Sequence, residues 1–259
     1  MQTDVEVLIW SDLVRDSMDN SIIATYLQLV QTAWIYITSG ALFRLMRLRK
    51  GPVIADLYPV GMLIFQLLVA LTLAGLVSAG IKSVLTGYVG LMIATAMSLA
   101  VFVFILRWFK SKDGKVFAYY LMHDYAHSAQ SRGAIPAELE HRMSSFRTMI
   151  ADALQSDVDE VLVVGHSSGA HLGISILSDL MKTQPTTGVT LSFLTLGQVV
   201  PMVSFLPEAT RLRADLQYLS SCNDLTWVDV TAPGDGCSFA LCDPVAVSGV
   251  APDLSLIHI

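Results

Sequence analysis

The chain reads as a mixed α/β protein, with a parallel sheet following an N-terminal pair of membrane-spanning helices. Three observations predict this. Val60 to Gly80 and Val84 to Leu106 are two long apolar runs without a single charge. After residue 115 β-prone runs alternate with segments of helical period, the pattern of a parallel sheet with helical crossovers. One of those runs, Val161-Leu-Val-Val164, leads directly into Gly165-His166-Ser167-Ser168-Gly169.

Composition sets the limits. At 259 residues the chain has room for one large domain or two small ones. Hydrophobic residues make up 53% and charged residues 15%, and the mean hydropathy is +0.57. That is too apolar for an ordinary soluble protein. The net charge of −6 argues against a nucleic-acid partner. Cys222, Cys237 and Cys242 are odd in number, and their spacing fits neither a disulfide framework nor a zinc site. Free thiols in a reducing compartment are expected, with no metal and no other cofactor. The opening Met-Gln-Thr-Asp lacks the basic start of a secretory signal.

Residues 1–52 are expected to hold a strand and an interfacial helix. Val5 to Trp10 is β-prone and closes at Ser11-Asp12; Ser21 to Met46 is long and apolar, with Trp34, Tyr36 and Phe43 suited to an interface. Arg44, Arg47, Arg49 and Lys50 form a basic cluster, broken by Gly51-Pro52. Residues 53–109 are then a transmembrane hairpin, each uncharged run being about the 20 residues a bilayer requires. Lys82 is the one charge in the link, while Arg107, Lys110, Lys112 and Lys115 follow the second run, with Trp108 and Phe109 placed for an aromatic belt. Basic flanks at both outer ends imply a multi-pass protein of the inner (cytoplasmic) membrane, with both flanks and the following domain in the cytoplasm.

Residues 110–253 form the expected α/β domain. Val116 to Met122 reads as a strand ended by His123-Asp124-Tyr125. Pro136 opens a helix in which Leu139, Met143, Phe146, Ile150 and Leu154 recur at helical spacing. The run at Val161 is a strand. Leu172, Ile176, Leu177 and Leu180 mark the helix after it. Thr190 to Leu196 is a strand stopped by Gly197, Ala209 to Leu219 an amphipathic helix and Leu225 to Val230 another strand. The sheet is expected to be parallel and covered on both faces.

The strand, the G-x-S-x-G turn and the helix resemble the nucleophile elbow of the α/β-hydrolase superfamily. The resemblance covers roughly residues 115 to 250, and the elbow is its one specific motif. It implies an α/β-hydrolase-like parallel sheet and a lipase- or esterase-like serine hydrolase. Ser167 is then the nucleophile, and the Ser168 N–H contributes to the oxyanion hole. The family order is serine, acid, histidine. Counting strands forward from Ser167 puts the acid after Leu225–Val230, at Asp235, which lies between glycines just past the strand. Asp243 is the second choice, and Asp229 lies within the strand.

Only His258 follows Asp235. It belongs to Leu254–Ile259, which resembles the translation of a sequencing adapter. Residues 254–259 are therefore expected to be a non-native tail and His258 is set aside. The family's histidine is expected downstream, and this chain is expected to be inactive without it. His166 is held in the motif, His171 lies one turn along the following helix, and His123 and His127 are expected in a polar loop. The expected substrate is a small acyl ester or a lipid, and the expected partner is membrane lipid. The alternative is a non-catalytic membrane module that retains the turn.

Overall fold

The computed structural model describes residues 3–10, 12–13, 21–183, 188–235 and 238–251. The tail at 254–259, with His258, and Cys237 lie outside the described residues. In chain order the helices before the sheet are α1 Ile22–Thr38, α2 Ala41–Leu48, α3 Lys50–Asp56, α4 Tyr58–Val84, α5 Gly87–Ser111, α6 Asp113–Val116, α7 Ala118–Gln130 and α8 Ala137–Leu154. Then come β1 Glu160–His166, α9 Ser168–Thr183, β2 Thr190–Leu196, α10 Val200–Ser204, α11 Thr210–Ser220, β3 Thr226–Val230 and α12 Pro244–Val247. The chain is thus mixed α/β, mostly helical, with a small three-stranded parallel sheet and two long apolar helices. It divides into two units. One comprises residues 1–13, 31–56 and 127–259, the other residues 14–30 and 57–126.

The second unit is built on α4 and α5. Both are long and apolar enough to cross a membrane, and only 22% and 17% of their most apolar windows are buried. The inward residues on α4 include Leu63, Gln66, Ala70 and Ala74, and on α5 Gly90 and Ala94. Small side chains at that spacing let two helices approach closely. A Cβ on Gly90 would lie 2.2 Å from the Leu85 carbonyl oxygen, so the short link between the helices requires glycine there.

Val116 to Met122 is not a strand. The Asp113 carboxylate accepts the backbone N–H groups of Tyr119 at 2.9 Å and Tyr120 at 3.1 Å, which supplies orphan donors in the first turn of α7 with an acceptor. Ala118, Tyr119, Met122 and Ala126 are buried together with Leu29 and Leu63. That spacing is helical, and burial on one helix face outweighs the β preference of the aromatic residues.

In the first unit the strands lie in the order β1-β2-β3, all parallel. Gly165 pairs with Thr195, and Thr195 with Asp229. Helices α8, α9 and α11 bury Phe146, Ile150, Leu177, Leu180, Leu212 and Leu216 in one core with Phe193 and Trp227 of the sheet. A Cβ on Gly173 would sit 2.8 Å from the Phe193 ring, so glycine lets α9 lie directly on β2. Asp215, 3% exposed, accepts from Ser178 Oγ at 2.7 Å and Lys182 Nζ at 2.9 Å, which ties α11 to α9. Arg211 reaches Asp179 and Glu140.

Four expectations change in this unit. Residues 3–10 form no strand. They are held instead by Arg142, which donates to the Ile9 carbonyl and pairs with both oxygens of Asp12. The helix expected over 21–46 breaks at Gly40, whose φ is +74°. Gly51-Pro52 does not interrupt helix but lies in the first turn of α3, where proline costs no hydrogen bond. The sheet is covered on one face only: Leu162, Val164 and Val230 are 54%, 52% and 48% exposed.

Candidate active site

The site is assembled at the carboxyl edge of the sheet. β1 ends at His166 and α9 begins at Ser168, leaving Ser167 alone in the turn. Its φ is +51°, a left-handed conformation that costs a non-glycine residue of order 1 kcal/mol or more. Two backbone bonds hold it there. The Ser167 N–H donates to the Leu196 carbonyl at 3.0 Å, and the Ala170 N–H donates to the Ser167 carbonyl at 3.1 Å. Ser167 is half-buried, at the surface of the turn and outside the regular helix.

The turn is tight because of one glycine. A Cβ on Gly165 would lie 2.8 Å from the Gly169 carbonyl oxygen and 2.9 Å from Ala170 Cα, whereas a Cβ on Gly169 would meet nothing within 4 Å. The two glycines of the motif therefore differ: Gly165 is sterically required and Gly169 is not. Ser168 opens the 16-residue α9, at the helix end whose N–H dipoles favour negative charge.

The neighbouring strand ends bring the acid in. Gly197, with φ +54°, donates its N–H to the Val230 carbonyl at 2.9 Å. Its absent side chain leaves room for Asp235, whose Oδ2 would lie 3.2 Å from a Cβ placed there. Ser167 is bonded to Leu196 and Asp235 lies against Gly197, so the two residues approach adjacent positions at the end of β2. Strand counting did not foresee that Gly197 makes this space. Its sequence signal was a lone glycine directly after a strand.

The other carboxylates have different roles. Asp243 caps α12, its Oδ1 accepting from Val245 N at 2.8 Å and Ala246 N at 3.2 Å. Asp229 is 2% exposed and accepts from Thr195 Oγ1 at 2.5 Å, while Trp227 Nε1 donates to the same hydroxyl at 3.1 Å. Burial pushes the Asp229 carboxyl above the usual range, and nearby Asp243 adds to the rise.

Among the described histidines none is hydrogen-bonded to Ser167. His166 is exposed at the end of β1. His123 and His127 lie on helix α7 instead of in a loop. His171 lines a cavity of about 30 Å³ with His127, Ser175, Pro136 and Leu172, a volume that fits a water or two. His171 Nδ1 and Ser175 Oγ are enclosed there without a protein partner. Burial, reinforced by His127, pushes His171 down to about 4. Burial also lowers His127, opposed by Glu138. The unfolded chain therefore binds more protons than the folded one between about pH 4 and the ordinary 6.5, so stability is intact above that window and falls as pH drops through it. Urea unfolding at a series of pH values is expected to show this loss, and His171→Leu to reduce it. An unchanged slope in the variant would assign the loss to other groups.

Cys222 and Cys242 carry free thiols. Among the described residues no group of three His, Cys, Asp or Glu side chains could hold a metal ion. Comparison with protein-family profiles, curated proteins and solved structures finds no match for the chain.

Proposed function

We propose that this chain is a serine ester hydrolase of α/β-hydrolase type, held at a membrane by the α4–α5 hairpin with its sheet unit in the cytoplasm. One observation carries the reading: Ser167 is held at positive φ between a parallel strand and a helix, over a glycine where a Cβ would lie 2.8 Å from backbone. Strain of this kind persists where the surroundings over-determine it, and it concentrates at functional residues.

Ser167 Oγ attacks the ester carbonyl carbon and passes its proton to an imidazole. The Ser168 N–H stabilises the resulting oxyanion. Collapse of the intermediate expels the alcohol, which takes up that proton, and leaves an acyl-serine. Water then repeats the sequence and releases the acid. Asp235 orients the imidazole and stabilises its cation. Ser167 is bonded to Leu196 and Asp235 lies against Gly197, neighbouring residues at the end of β2, and the imidazole of this reading stands between them. The apolar hairpin suits a substrate with an acyl chain.

A fluorophosphonate probe, applied to the full-length protein, is expected to label one site, and Ser167→Ala to lose at least about 100-fold of that labelling. Folded protein that takes up no label would favour the second reading, a membrane module that keeps the turn for structure. That reading draws on the lack of any described histidine bonded to Ser167.

A further inference from the structure

The sheet unit contains a second feature that the proposed chemistry does not use. A cleft of about 670 Å³ is lined by Thr38, Ser39, Arg44, Arg132, Phe205 and Arg213, among others. Neither Ser167 nor Asp235 lines it. Three arginines line it, and no carboxylate among the described residues does. Elsewhere in the unit arginines do find carboxylates: Arg142 with Asp12, Arg147 with Asp179, and Arg211 with Glu140 and Asp179.

Two of the cleft arginines, Arg213 and Arg44, are held in place without being neutralised. Arg213 donates to the carbonyls of Ser204 at 2.8 Å, Leu206 at 2.9 Å and Pro207 at 3.0 Å. Those bonds fix the guanidinium but leave its charge uncompensated. Arg44 sits over the buried Phe205 ring, its Cζ 3.8 Å from the ring centroid, a cation–π contact that positions it. Arg132 is exposed and held at φ +53° in the turn after α7. Like charges gathered this way repel, and burial together with Arg213 lowers the pKa of Arg44. Planar guanidinium groups without a carboxylate partner match the oxygens of a phosphate.

We propose that this cleft binds a phosphate-bearing anion, with Arg44, Arg132 and Arg213 as its ligands. The volume is within the range of small-ligand sites and exceeds what a bare phosphate fills, so a phosphate carrying an organic group is the better fit. Arg44, Arg47, Arg49 and Lys50 lie within about 15 residues of the first span along the chain, where basic clusters meet anionic headgroups. A phosphomonoester lipid headgroup and a soluble phosphomonoester share the required chemistry. The site stands independently of the hydrolase reading.

The test is calorimetric titration of the full chain in nonionic detergent with dihexanoyl phosphatidic acid, dihexanoyl phosphatidylcholine and inorganic phosphate. Saturable one-to-one binding of the phosphatidic acid is expected, with phosphatidylcholine much weaker. Arg44→Gln is expected to weaken binding roughly tenfold and Arg44→Lys less, since bidentate charged hydrogen bonds are lost. Arg132→Gln repeats the test from a separate segment. Arg47→Gln, exposed and outside the cleft, is the control and should leave affinity unchanged. Preference for phosphatidic acid over inorganic phosphate supports the site with a lipid as its source; equal affinity supports it with a soluble source. The proposal is overturned if neither phosphate ligand saturates, if phosphatidylcholine matches phosphatidic acid, or if Arg47→Gln weakens binding as much as Arg44→Gln.

Discussion

Gly165→Ala is expected to destabilise the sheet unit by about 2 kcal/mol and to abolish labelling at Ser167. The new methyl group would meet the Gly169 carbonyl and Ala170 Cα at 2.8 and 2.9 Å. Both are backbone, so no rotamer change relieves the clash. The helix must move away from the strand, and the Ala170–Ser167 and Ser167–Leu196 bonds stretch with it. Gly169→Ala is the matched control. A Cβ there meets nothing within 4 Å, and alanine favours helix over glycine by about 1 kcal/mol in a helix interior, less at a first turn. Urea unfolding in detergent, followed by tryptophan fluorescence, should separate the two variants in sign. Equal losses would mean that the turn does not depend on the close approach at Gly165.

Trp227→Ala is expected to cost about 4 kcal/mol, the usual range for removing a large aromatic from a packed core. Trp227 is 2% exposed, packs against Phe193 at 5.4 Å between ring centroids, and donates to Thr195 Oγ1. Its loss opens a cavity beside Phe193 and also takes a donor from the hydroxyl that serves Asp229. Trp227→Phe keeps most of the ring contact and should lose only about 1 kcal/mol, the worth of one hydrogen bond. The same unfolding assay measures both. A Trp227→Ala loss below that of Trp227→Phe would show that the core closes over the gap.

What could be read from the sequence was local. β2 and β3 announce themselves as short apolar runs between breakers, and the two long apolar helices by length and lack of charge. Asp235 was chosen by counting strands forward from Ser167, and the parallel order β1-β2-β3 is the order that count assumed. The misreadings arose where distant contacts decide. The β-prone run Val5 to Trp10 suggests a strand, yet that segment is fixed by Arg142, 133 residues away from Ile9 in sequence. In Val116 to Met122 aromatic residues outweighed a helical spacing that was present, and the capping role of Asp113 is visible only in space. The arginine cleft could not be read at all. Its three guanidinium groups come from α2, the turn after α7, and α11, and nothing in their spacing marks them as neighbours.

The pairing of each strand with the one made just before it bears on biosynthesis. Partners such as Gly165 and Thr195 are roughly thirty residues apart, a low separation for a sheet. As the polypeptide leaves the ribosome, β2 can dock onto β1 without waiting for β3. The Leu196 carbonyl then reaches the Ser167 N–H before Asp235 has been synthesised. The nascent chain can therefore fix the bend first and add the carboxylate to a turn already shaped to receive it.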